Sequence, residues 1–122
     1  VSTRLMARIG AVTVAVGSIG AAGAAAAAAY PASCTSNQVC VYDNTNYGTE
    51  LGWRSGGFPL QDVSSGNNDK MSSWSNHSVL NACWYTNSGG GGVGLQMNQY
   101  TSDPDVGLVW NDQMSSWKGS SC

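Results

Sequence analysis

The chain predicts an all-β domain made of two matching halves, and three observations carry that prediction. Two separate blocks of sequence recur at one spacing, 43 residues. The apolar runs are short, alternate in twos and lie between clusters of Gly, Asn and Ser, the pattern of half-buried strands. No stretch after Tyr30 sustains the ~3.6-residue apolar period of an amphipathic helix.

The repeat is legible residue by residue. Val39 to Asn44, VCVYDN, lines up with Ala82 to Asn87, ACWYTN. Asn68 to Trp74, NDKMSSW, lines up with Asn111 to Trp117, NDQMSSW. Two blocks that keep one offset imply a duplicated unit of about forty residues. Gln38 to Asp43 and Leu80 to Tyr85 alternate as strands do. A unit of this size has room for about four strands, and four antiparallel strands that fold back make a Greek key. Two keys, at about 34–77 and about 78–122, would pack as a β-sandwich and bury the apolar face that either alone exposes.

The amino-terminal segment reads differently. Arg4 and Arg8 precede an uncharged stretch from Ile9 to Ala29 that ends in the run Ala24 to Ala29. A basic start, an apolar middle and small residues at an Ala-x-Ala site describe a secretory signal over 1–29. The stretch is also long enough to span a bilayer, but no basic stop-transfer residues follow it. Cleavage near Ala29 leaves a domain of residues 30–122, secreted and without stable membrane association. That domain carries Arg54, Lys70 and Lys118 against seven acidic residues.

Composition narrows the partners. The 122 residues hold 5 Lys+Arg against 7 Asp+Glu, and only 10% are charged. A nucleic-acid binder needs a basic stripe to displace counterions, so that class is excluded. The length excludes a multidomain enzyme.

Export fits the cysteines. Four Cys in a small secreted domain read as two disulfides with three possible connectivities. Cys34 and Cys40 enclose a tight loop; Cys83 and Cys122 would then tie the chain end to its middle. In the chain-entropy picture the larger loop contributes about 4 kcal/mol and the smaller about 2 kcal/mol. The sequence leaves the connectivity open. Zinc is disfavoured, because no Cys-x-x-Cys occurs and the lone His77 has no neighbour at ligand spacing.

On these residues the chain resembles a single βγ-crystallin-type domain, specifically the secreted actinobacterial proteins of peptidase inhibitor family I36. The resemblance runs from Cys34 to Cys122. It rests on the aromatic turn Tyr42-Asp43-Asn44-Thr45-Asn46-Tyr47-Gly48, on the doubled Asn-Asp-x-x-Ser-Ser motif at Asn68 to Ser73 and Asn111 to Ser116, and on the leading Cys pair. Two departures stand out. Thr49 occupies a position where the family usually has Gly, and Gly90 replaces the second aromatic in the second copy. The second hairpin is therefore expected to be the looser one.

Each Asn-Asp-x-x-Ser-Ser segment offers a carboxylate, an amide oxygen, hydroxyls and turn carbonyls. These hard oxygen donors suit Ca²⁺, which takes about 6–8 of them. One segment holds too few, so both must contribute. The resemblance implies that one copy's Ser and backbone meet an Asn or Asp of the other. The candidate ligands are Asn68, Asp69, Lys70 through its carbonyl and Ser72, with Asn111, Asp112, Gln113 through its carbonyl and Ser115. One carboxylate per motif points to a dissociation constant of about 10⁻⁵ to 10⁻³ M. The competing reading is turn chemistry alone, since Asx and Ser side chains also close turns on nearby backbone N–H groups. An EF-hand at Asp43 to Gly48 fails, with Thr45 and Tyr47 at ligand positions and no Glu at the twelfth.

Trp74 and Trp117 recur at equivalent positions and read as core anchors, with Trp84 beside Cys83 packed as well. Trp53 and Trp110 have no aromatic counterpart and are the candidates for a surface patch. His77, between the copies, reads as a linker residue, and Asn76-His77-Ser78 is formally a glycosylation sequon. Ser88 to Gly94 is nearly all glycine and is expected to be too flexible to present a rigid edge. Tyr100 to Val106 reads as an acidic, turn-rich hairpin connection.

Two functions emerge. The resemblance implies a secreted, monomeric inhibitor of extracellular peptidases, metallopeptidases among them. The alternative is a non-inhibitory Ca²⁺-binding module for stability or for recognition of a cell surface or carbohydrate. An enzyme is not expected, because the sequence shows no acid/base pair at a defined spacing, no phosphate loop and no zinc signature.

Overall fold

The computed structural model describes residues 30–122. The expected signal segment, 1–29, lies outside the described residues.

Eight strands follow one another: β1 (Gln38–Asp43), β2 (Thr49–Ser55), β3 (Gln61–Asp62), β4 (Met71–His77), β5 (Ala82–Tyr85), β6 (Gly94–Met97), β7 (Thr101–Asp103) and β8 (Ser116–Lys118). They form two four-stranded sheets, ordered β2-β1-β4-β7 and β3-β8-β5-β6. Every pairing is antiparallel. Each half supplies three strands to its own sheet and sends its third strand to the edge of the other. The halves are thus interlocked rather than merely stacked.

The period-2 pattern explains why β1 is central. Val39 and Val41 point into the core between the sheets, where Met71, Trp74, Ala82, Trp84, Met97, Met114 and Trp117 meet them. Cys40 and Tyr42 point to the opposite face, which Cys34 and Tyr47 cover. The strand is buried on both faces. Trp74 and Trp117 lie in the core at equivalent places, each the cross-strand partner of a core residue, Val41 and Trp84 respectively.

The cysteines pair as Cys34–Cys40 and Cys83–Cys122, with Cα separations of 5.9 and 5.1 Å. The first brace closes the outer cover of β1. The second fastens the end of the chain to β5.

Four local expectations change. His77 is not a linker residue but the last residue of β4, its Nδ1 3.1 Å from the Cys34 carbonyl oxygen and its ring stacked on Tyr30 at 4.1 Å. The sequon residue Asn76 is fully buried, and its Nδ2 donates to the Leu80 and Met97 carbonyls. Its amide nitrogen is therefore engaged and closed to a glycan in the folded domain. Trp110 is half-buried and packs on the core, whereas Trp53 is exposed.

The glycine-rich segment is also more ordered than its composition implies. It contains a 3₁₀ turn at Ser88–Gly90. The Gly89 N–H donates to Asp62 Oδ1 at 2.7 Å, the Gly90 N–H to Ser116 Oγ at 2.9 Å and the Val93 N–H to Thr86 Oγ1 at 3.0 Å. Glycine is needed here because Gly89, Gly90 and Gly92 all have positive φ. Flexible residues are chosen for a conformation that other residues adopt only at a penalty.

Candidate functional site

The doubled motif lies at a seam between the halves, and its backbone hydrogen bonds obey the repeat. The Asp69 N–H donates to the Met114 carbonyl at 2.9 Å, and the Asp112 N–H donates to the Met71 carbonyl at 3.0 Å. Val63 N–H reaches the Ser115 carbonyl and Val106 N–H the Ser72 carbonyl, both at 3.0 Å. Every donor and acceptor in one set has its counterpart 43 residues away in the other. The seam is a pseudo-twofold clasp in which each copy's loop docks on the other's strand.

The clasp needs an unusual backbone. Asp69 and Asp112 both sit in the left-handed region, at φ 59° and 61°. Asp and Asn tolerate that conformation better than other non-glycine residues. This gives the acidic position a structural role besides any ligand role.

Side chains cross the seam at two points. Ser72 Oγ donates to Asn111 Oδ1. Ser115 Oγ donates to Asp69 Oδ1 at 3.2 Å. Ser72 is buried, while Ser115 and Asn111 are half-buried and Asp69 is exposed. Four of the eight candidate ligands are therefore brought together across the two copies. Of the rest, Asn68 Nδ2 turns to its neighbour Asp69 Oδ2 at 3.2 Å, and Lys70, Asp112 and Gln113 are exposed beside the seam.

The donor set is entirely oxygen: a hydroxyl facing an amide on one side, a hydroxyl facing a carboxylate on the other, with the Lys70 and Gln113 carbonyls adjacent in sequence. Among the described residues no three of His, Cys, Asp and Glu converge. Such a set fits a hard cation that completes its shell with water and does not fit zinc, which favours His and Cys. One carboxylate at most serves each cluster.

The second serine of each motif has a different role, which sequence reasoning missed. Ser73 Oγ donates to the Asn44 carbonyl at 2.9 Å and accepts from the Tyr47 N–H at 3.0 Å. Ser116 Oγ does the same with the Asn87 carbonyl at 2.6 Å and the Gly90 N–H at 2.9 Å. Each buried hydroxyl pins the folded-over hairpin that follows β1 or β5. Tyr47 is held at φ 58° where the second copy has Gly90 at φ 76°. In return its ring packs edge-on against Tyr42, centroids 5.5 Å apart. The signal was in the sequence, since Ser73 and Ser116 stand at one distance from Asn44 and Asn87.

Tyr42 and Tyr47 both have phenols pushed above the ordinary tyrosine value, chiefly by burial. Tyr42 Oη also lies 2.8 Å from Ser33 Oγ, which partly offsets the rise.

Comparison with known proteins agrees with this geometry. A βγ-crystallin domain from Clostridium beijerinckii is 29% identical, with a TM-score of 0.53 over 66% of this chain and 93% of that one. A double mutant of clostrillin, with two serines replaced by histidine and in complex with nickel, is 28% identical, with a TM-score of 0.53 over 66% and 94%. A βγ-crystallin domain from Flavobacterium johnsoniae, 24% identical with a TM-score of 0.55 over 66% and 90%, shares the fold. No curated protein matches the chain. The family model of peptidase inhibitor family I36 matches residues 27–98. The chain is thus a βγ-crystallin-type domain and belongs to peptidase inhibitor family I36.

Proposed function

We propose that the protein is a secreted inhibitor of extracellular peptidases whose two-copy seam binds Ca²⁺. Membership of the inhibitor family is the observation that supports the first part. The two disulfides suit an oxidising, extracellular setting. Both the family and the fold point to a binding protein rather than a catalyst. Inhibition by such a domain is steric: a stiff surface element enters the active cleft already in its bound shape and loses little entropy on docking. Titrating the domain of residues 30–122 against extracellular metallo- and serine peptidases tests this. Micromolar domain should slow at least one of them, and no loss of rate in any would refute the reading.

The reciprocal seam favours the Ca²⁺ part. Asn68, Asp69, the Lys70 carbonyl and Ser72 would act with Asn111, Asp112, the Gln113 carbonyl and Ser115 around shared ions. Because each cluster draws on both copies, a bound ion would link them and stabilise the whole domain. A ligand at a hundredfold excess over its dissociation constant contributes about 2.7 kcal/mol per site. The melting temperature should rise in millimolar Ca²⁺, and Asp69→Asn, which keeps the turn but removes the charge, should shrink the rise. An unchanged melting temperature for the parent would leave the seam as turn chemistry alone.

A further inference from the structure

The two halves differ most tellingly at one turn. In the first copy residues 64–68 form it: Asn67 N–H and Asn68 N–H both donate to the Ser64 carbonyl, each at 2.9 Å. In the second copy Trp110 N–H and Asn111 N–H both donate to the Gly107 carbonyl, at 3.2 and 2.9 Å. The backbone device is the same, 43 residues on. The side chains are not. Ser65 and Gly66 at the first tip correspond to Leu108 and Val109 at the second. Leu108 is 98% exposed and Val109 73%. The first copy makes this turn without any apolar residue, so the fold does not account for two bare aliphatic side chains in water.

The loop that carries them is stiff. Asp105 N–H donates to Asp103 Oδ1 at 3.1 Å, and Gly107 N–H donates to Asp105 Oδ1 at 2.9 Å. Val106 N–H is held by the Ser72 carbonyl at 3.0 Å, and Asn46 N–H holds the Pro104 carbonyl at 2.8 Å. Beyond the tip, Trp110 packs on the core and Asn111 enters the seam. The acidic residues are thus taken up in bracing the loop, and the tip itself is purely apolar.

We propose that the Leu108–Val109 tip is the element that enters the peptidase, with Leu108 filling an apolar specificity pocket. The inference rests on the inhibitor reading above and adds its site and its specificity: a peptidase that accepts leucine. The tip lies beyond residues 27–98, over which the family model matches. A fully exposed leucine on a preformed loop gains its burial on docking without the cost of ordering the loop backbone.

The test transplants the first copy's tip onto the second, Leu108→Ser with Val109→Gly, a pair of residues that this turn already accommodates. The probes are a zinc metallopeptidase that cleaves before leucine and a serine peptidase that cleaves after it. The double variant should unfold cooperatively and melt within about 8 °C of the parent, since two exposed substitutions, one of them to glycine, change stability modestly. Its inhibition constant should rise roughly 10- to 100-fold, the range expected for losing one buried leucine. An unchanged constant would overturn the proposal and leave the inhibitor reading intact. A parent that inhibits neither probe nor any other peptidase would overturn both. Binding of the parent to neutral phosphatidylcholine vesicles, lost in the variant while inhibition persists, would assign the tip to a lipid surface and overturn the proposal.

Discussion

Replacing Ser73 by Ala removes one oxygen atom and should cost far more than a surface change. Ser73 is 0% exposed, and its hydroxyl serves two backbone groups at once, the Asn44 carbonyl at 2.9 Å and the Tyr47 N–H at 3.0 Å. Neither group gains another partner in Ser73→Ala unless the hairpin moves. A buried polar group left unpaired costs about 1–3 kcal/mol. Both groups lie near the surface, so the lower end applies to each and the sum is about 2 kcal/mol. For a domain of this size that lowers the melting temperature by roughly 8–16 °C. If the hairpin did spring free, the Tyr47 ring would leave Tyr42 and the outer face of β1 would open, which is no cheaper. Ser116→Ala is the twin and should fall by a similar amount. Ser65→Ala, on an exposed turn, is the control and should stay within about 0.5 kcal/mol. Thermal melts followed by circular dichroism read all three. A Ser73→Ala melt within about 2 °C of the parent, or a Ser65→Ala loss as large, would refute the claim that these hydroxyls pin the hairpins.

Two further outcomes follow from the packing and the buried phenols. Gly119→Ala would place a Cβ 2.3 Å from the Phe58 nitrogen and 2.6 Å from the Gly57 nitrogen, both backbone atoms that cannot swing aside; urea denaturation should show a loss of about 3 kcal/mol or more. Burial raises the Tyr42 phenol above its ordinary value of 10.0, so its contribution to stability is complete below that pH and is lost as pH rises through the folded-state value. Chemical denaturation across the alkaline range should show this decline, and Tyr42→Phe should flatten it; an equally steep decline in the variant would place the cause elsewhere.

The class of fold was legible because duplication leaves a mark that needs no structure. Val39–Asn44 and Ala82–Asn87 fix the first strand of each half, and β1 spans the very residues that alternate. The second alternating run begins as a strand only at Ala82, because Val79 and Leu80 are exposed in the connection between the copies. The exchange of β3 and β7 between sheets was not legible. These strands have two and three residues, too few to show a period, and their pairing is decided by which neighbour has a free edge. The order of the glycine-rich hairpin was hidden for a related reason. Its stability comes from Asp62, Thr86 and Ser116 outside the glycine run, and composition within a window cannot report partners beyond it. The candidate ligands were found as residue types, but which four cross the seam depends on two loops lying face to face.

A duplicated domain supplies its own control, and this chain uses it twice. Where the copies agree, the shared residue mostly plays the same structural part in both halves; the seam side chains are the exception, since Ser72 bonds Asn111 whereas its counterpart Ser115 bonds Asp69. Asp69 and Asp112 adopt the same left-handed turn, Met71 and Met114 accept the same cross-seam hydrogen bond, and Ser73 and Ser116 pin the same hairpin. Where they differ, the fold alone cannot be the reason for the more demanding choice. Tyr47 accepts a backbone conformation that Gly90 adopts freely, and its ring covers Tyr42 in exchange, so that difference is still answered inside the domain. Leu108 and Val109 find no such answer inside it. Their apolar surface lies in water while Ser65 and Gly66 make the same turn without it, and burial of such surface is the ordinary driving force of association. Docking against a peptidase, as proposed above, would supply the burial that the fold itself does not, and the two tips are where the halves differ with no compensation inside the domain.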